Sequence, residues 1–413
     1  MRSRARLLPG MAHLLNPWVA GTVLLALLVL APVAALLAGL SETGPAWEHV
    51  VSTVLMRYVV NTLVLVVAVS LFATVLAVPA AWYVSAYEFP GRRLFEWALV
   101  LPLAIPTYVA AFVYIRVPEA AIPLLIAIRT HWGIEAFQTA EMVLRYGVLS
   151  LLLATVLYPY LYLTARASFR RQQQTLIEAA QTLGQPPRVV FFTVALPMAR
   201  PALVAGLSLV AMEVLNDYGA VNFFGVPTLT EGVFRTWFRL EDPASAVRLA
   251  ALLTVSILAV LAYEQWQRGR ARFTTGGTPG ALLARRRVRG WAVLPPVLAC
   301  VVPLGLGLVY PAGQLALWSI ESARMYPPVL DTVQVLRSLG LAACTAAVVT
   351  LCALLLSYTV RLYPHRGLRG LVRLSALGYA LPGAAVAVGV MQVLGAFDQT
   401  GLLPAFLSGT LYA

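Results

Sequence analysis

Glu213 and Asp217 stand four positions apart, so on a helix they share one face, and Asn216 adds a neutral oxygen on a nearby flank. They close a long apolar stretch. Ionisable groups there are costly and usually face a pathway or a partner. Two readings of the pair stay open. In one, the carboxylates line a path. In the other, Glu213 pairs with an arginine such as Arg145, and Asp217 caps the loop that follows. A second set of residues does mechanical rather than covalent work. It is the run Glu178-Ala179-Ala180, then Gly184, then Val194, Leu196 and Pro197. This run is polar and rich in turn formers, yet greasy segments flank it on both sides. A helix–turn–helix on one side of a membrane suits a surface that takes a push from a soluble partner.

The elements that must hold these residues are membrane helices. The chain has 413 residues, 60% hydrophobic and 11% charged, with a mean hydropathy of +0.81. That excludes an ordinary soluble globule. Crossing a hydrocarbon core of roughly 30 Å takes about 20 apolar residues in a helix. Nine such segments are predicted, at about 17–40, 58–87, 97–115, 143–165, 199–217, 247–264, 291–318, 337–360 and 374–394. The apolar runs are continuous rather than alternating, which predicts an all-α polytopic bundle and not a β-barrel. The net charge of +13 is a topology signal more than a nucleic-acid one. With the N-terminus in the cytoplasm, the arginines around 2–6, 92–93, 166–171, 268–289 and 361–373 fall on the cytoplasmic side.

The chain reads as two halves. Residues 1–270 form the first, with a loop over 166–197. Residues 271–290, rich in Gly, Pro and Arg, form a cytoplasmic linker. Residues 291–413 start the second. The aromatic-Pro turn Phe89-Pro90-Gly91-Arg92-Arg93 returns as Tyr363-Pro364-His365-Arg366-Gly367, and Pro106 has a counterpart in Pro382. Internal duplication of this kind is common in transporters. Projected forward, the counterpart of Glu178 falls beyond Ala413, so the expectation is a second half cut before its own loop. Tyr158, Tyr160 and Tyr162 alternate around Pro159; this proline, with Pro102 and Pro106, is either a hinge or part of plain interhelical packing with interfacial tyrosines, and packing is the favoured reading.

Within the loop, residues 172–183 are good helix formers. Gly184 fits a helix end that needs positive φ, and Pro186 and Pro187 suit the start of the next helix. The spacing Glu178-Ala179-Ala180, Gly184, Val194, Leu196-Pro197 resembles the signature loop of binding-protein-dependent ABC importer permeases, with Val194 in place of the more usual Ile. The resemblance implies the type I importer permease fold. It also implies that the loop docks into a cleft of an ATP-binding subunit and transmits its closure.

Further stretches narrow the resemblance. These are Tyr158 to Arg166, Met212 to Val221, Phe224-Gly225-Val226-Pro227-Thr228-Leu229-Thr230 and Phe234 to Phe238. Together they look like the ferric-iron subgroup, with permeases for thiamine, sulfate, molybdate and polyamines as near relatives. Fe³⁺ is a hard cation that prefers oxygen donors, so Glu213 and Asp217 are the candidate transient metal contacts on its path. The implied partners are two copies of a cytoplasmic ATPase subunit, an extracytoplasmic substrate-binding protein and membrane lipid, with no nucleic acid. The chain has neither a phosphate-binding Gly-rich loop nor any lysine. No cofactor is therefore expected on it, and ATP and Mg²⁺ belong to the partner subunit. His13, His49, His131 and His365 are scattered, and no catalytic triad is suggested. The expectation is a permease in a bacterial inner membrane and not an enzyme. A gradient-driven secondary transporter would explain the helices and the duplication, but not the loop.

Overall fold

The computed structural model describes residues 16–41, 43–171, 179–180, 182–270, 285–325, 331–376, 378 and 382–399. Among them, seven helices are long and apolar enough to cross a membrane: Pro17–Ser41, Trp47–Ala86, Ile122–Arg171, Pro187–Asn216, Pro243–Gln267, Gly290–Met325 and Thr332–Leu362. The chain is thus an all-α, multi-pass membrane protein.

Two predicted spans take a different form. The segment expected at 97–115 is a bent pair, Arg92–Ala104 and Thr107–Ala120, with 89° between the limbs. Pro106 causes the break. It lacks an amide donor and pushes Ile105 into an extended conformation, φ −93° and ψ 117°. The segment expected at 374–394 is helical at Gly383–Gln399, preceded by a separate helix at Arg366–Ala376. By contrast, the helix Ile122–Arg171 runs on through Pro159 and is redirected at Gly133, where φ is 85°.

Two compact units are present. One comprises Met1–Gly44, Pro243–Thr254 and Ser322–Ala413; the other comprises Pro45–Asp242 and Val255–Glu321. In the first, Pro17–Ala38 packs along Gly383–Gln399. Gly389 allows the close approach, since a Cβ there would lie 2.3 Å from the Pro32 carbonyl oxygen. Asn16 donates to the Tyr363 hydroxyl at 2.7 Å.

The second unit carries the candidate site. Its core is built from Leu55–Ala86, the later part of Ile122–Arg171, Leu196–Asn216 and Leu294–Leu304. Tyr158, Tyr162 and Phe169 are fully buried there. Gly206 brings two of these helices together. A Cβ at that position would meet Leu161 Cα at 2.9 Å and Thr164 Oγ1 at 2.3 Å. Small residues at such crossings let helices pack closely where lipid offers no hydrophobic driving force. Of the cysteines, Cys300 is buried in this core and Cys344 is exposed.

Candidate coupling loop and pathway residues

Glu178 lies outside the described residues, as do 172–177 and Gln181. The rest of the loop is placed. Ala179, Ala180 and Thr182 are helical. Gly184 takes φ 82°, and the Gln185 amide reaches back to the Ala180 carbonyl at 3.2 Å. This is the left-handed turn that ends a helix and satisfies its last carbonyls. Among the described residues, no atom outside the local chain approaches a Cβ built on Gly184 within 4 Å. Glycine is needed there for backbone conformation, not for space. Leu183 is exposed.

After the turn, Pro186 stands at the cap position with φ −67° and ψ 151°, and Pro187 opens a short helix, Pro187–Val190. The chain then makes one wide turn over Phe191–Ala195, in which the Leu196 amide bonds to the Phe191 carbonyl. Pro197 supplies the reason: it has no amide to continue the regular ladder, so the helix widens just before it. Gly305–Val309 does the same ahead of Pro311. Leu196 and Pro197 therefore mark where the elbow becomes the helix Leu196–Asn216.

That helix ends at the carboxylates. Asp217 is buried, and its Oδ1 accepts the amides of Ala220 at 2.8 Å and Val221 at 3.2 Å. It caps the turn Gly219–Phe223, one of the two alternatives open in the sequence. Asp217 lies one residue beyond the apolar span. Burial pushes its carboxyl above the ordinary range, against hydrogen bonds from the Thr107 side chain and the two amides. Glu213 is half-buried and accepts the Tyr160 hydroxyl at 3.3 Å. Arg145 pairs with Glu141. Asn216 Oδ1 is buried with no hydrogen-bond partner among the described residues. No group of three or more His, Cys, Asp or Glu side chains is gathered among the described residues.

A third feature, an ionic cluster at the base of the loop, has no signal in the local residue pattern. Glu96 meets Arg166, Arg170 Nη1 at 3.2 Å and Arg92 Nη1 at 2.8 Å. Arg92 is 5% exposed and also lies 3.1 Å from Glu88. The linker joins the cluster through a short parallel pairing of Tyr87–Glu88 with Arg286–Arg287. Burial and the neighbouring Arg92 and Arg170 guanidiniums hold the Arg285 pKa below the usual arginine range. These partners are far apart in the chain, so no local pattern announces them.

Comparison with known proteins follows the same region. A family described as "Binding-protein-dependent transport system inner membrane component" matches residues 73–271. The Fe(3+)-transport system permease protein FbpB 2 of Haemophilus influenzae is 24% identical, over 80% of this chain and 62% of its own length. The sulfate transport system permease protein CysT of Salmonella typhimurium is 29% identical, over 66% of this chain and 98% of its own. The molybdenum transport system permease protein ModB of Haemophilus influenzae is 32% identical, over 38% of this chain and 67% of its own. The chain thus spans less than two thirds of the length of the Fe(3+) permease it matches. All three relatives are named as transport permeases, not as enzymes.

Proposed function

This chain belongs to the family of binding-protein-dependent transport system inner membrane components, and we propose that it is the transmembrane permease subunit of an ATP-driven importer. The observation that carries the reading is the elbow from Ala179 to Pro197. It has a helix end closed by Gly184 at positive φ, a proline-started return and an exposed Leu183 at the tip. An exposed turn of this kind offers a docked subunit a surface to push on.

Two copies of a cytoplasmic ATPase would hydrolyse ATP with Mg²⁺, and this chain would bind no cofactor of its own. One copy would dock at Glu178, Ala179, Ala180, Gly184, Leu196 and Pro197. An extracytoplasmic binding protein would deliver the cargo. Nucleotide-driven closure would shift the bundle between inward-facing and outward-facing states through differential contacts at the loop. The protein would lie in the inner membrane with its N-terminus in the cytoplasm, the side favoured by its arginines.

Ferric iron is the proposed cargo. The alignment with an Fe(3+) permease over 80% of this chain supports it. So does a half-buried Glu213, whose oxygens suit a hard cation better than an oxyanion. A sulfate or molybdate cargo is the second reading, favoured by the near-complete coverage of CysT. The test is uptake in cells lacking their own importers for all three, supplied with this chain and its partner subunits. Recovery of ferric uptake supports the first reading, and recovery of oxyanion uptake alone overturns it.

A further inference from the structure

We infer that Glu96 is a positioning residue for transport: it ties the helix that leads into the coupling loop to the bent pair, so that the two move together. The inference rests on the reading that the loop receives an ATPase subunit.

Three groups on one helix hold Glu96. Tyr162, Arg166 and Arg170 are spaced by four and lie on one face of Ile122–Arg171. The Tyr162 hydroxyl donates to the Glu96 backbone oxygen at 3.1 Å, and the two arginines meet its carboxylate. Both the backbone and the side chain of Glu96 are therefore tethered to the last turns before residue 172. Among the described ion pairs, Arg166 and Arg170 each pair with Glu96, while Arg92 also has Glu88. Loss of the Glu96 charge would release Arg166 and Arg170 together. Arg166 is 20% exposed and Glu96 23%, so the link is only partly screened by solvent.

The other end of the tether reaches the carboxylates. Glu96 sits on the first limb of the bent pair, and Thr107–Tyr114 forms the second. That limb packs on the turn after Asp217. A Cβ at Gly219 would lie 2.7 Å from Tyr108 Cβ, and Asp217 accepts the Ala220 and Val221 amides of that same turn. Contacts this close transmit displacement because packed interiors resist compression. A shift of the loop would thus be passed through Arg166 and Arg170 to Glu96, around the bend at Pro106, and on to Asp217. The Tyr162 hydroxyl adds a neutral tie to the first limb beside the charged one.

The experiment uses the full chain with its ATPase subunit and binding protein in proteoliposomes. Binding of the ATPase to the unaltered chain tests the functional reading, and cargo moved per ATP hydrolysed in variants tests Glu96. Glu96→Gln is expected to retain the bound ATPase and its hydrolysis, while cargo per ATP falls about tenfold. Arg166→Gln with Arg170→Gln is expected to give the same fall. Combining all three changes is expected to add little, as for residues acting through one another. If Glu96→Gln does not accumulate, the arginine double variant carries the test. Normal coupling in whichever variant accumulates, or multiplying effects in the combination, overturns the inference.

Discussion

Tyr160 donates its hydroxyl to Glu213 at 3.3 Å, across 53 positions of the chain. The carboxylate offered by the sequence as a path-lining group is therefore oriented by the same helix that leads into the coupling loop. If Glu213 contacts cargo, Glu213→Gln should lower ferric uptake about tenfold or more while the protein remains inserted. Tyr160→Phe should cost less, about 1 kcal/mol of local hydrogen bonding. Uptake and ATPase rates measured together separate a path effect from a folding effect.

Asp217 should behave differently. Its acceptor work at Ala220 and Val221 is structural. Asp217→Ala is expected to destabilise the detergent-purified protein by about 1–2 kcal/mol. Asp217→Asn keeps an acceptor oxygen and should cost only a fraction of that. Thermal melting of the two variants checks the ordering, and equal losses would remove the capping role.

Two glycines give a contrast between conformation and space. Gly184 has open surroundings and φ 82°. Gly184→Val should leave global stability nearly intact and abolish coupled transport, because a β-branched residue resists positive φ. Gly206 is the reverse, with ordinary backbone and no room. Gly206→Val should lower stability by about 1–3 kcal/mol or more through overpacking. Melting and transport read on both variants should give opposite patterns.

The division between what sequence could and could not reveal follows from range. The turn at Gly184 was legible because its cause is local: helix formers, a glycine, then two prolines. The helix at Leu55–Ala86 ends where Tyr87 turns extended, one residue short of the predicted 87. The bend within the pair left no mark in hydropathy, which sees only apolar length, whereas Pro106 acts through the backbone of Ile105. The cap by Asp217 was visible only as an alternative, since the spacing of Glu213 and Asp217 fits either role. The Glu96 cluster was invisible. Its arginines counted only as topology signals, and the carboxylate that gathers them lies 70 positions from Arg166.

A nucleotide-driven subunit is proposed to work this bundle through the loop ending at Pro197. The most direct measurement is cargo accumulation in proteoliposomes containing this chain, its ATPase subunit and loaded binding protein, with and without ATP and with ion gradients collapsed. The account requires accumulation that needs ATP hydrolysis and survives an uncoupler. Accumulation that proceeds without the ATPase and stops with the uncoupler would contradict it.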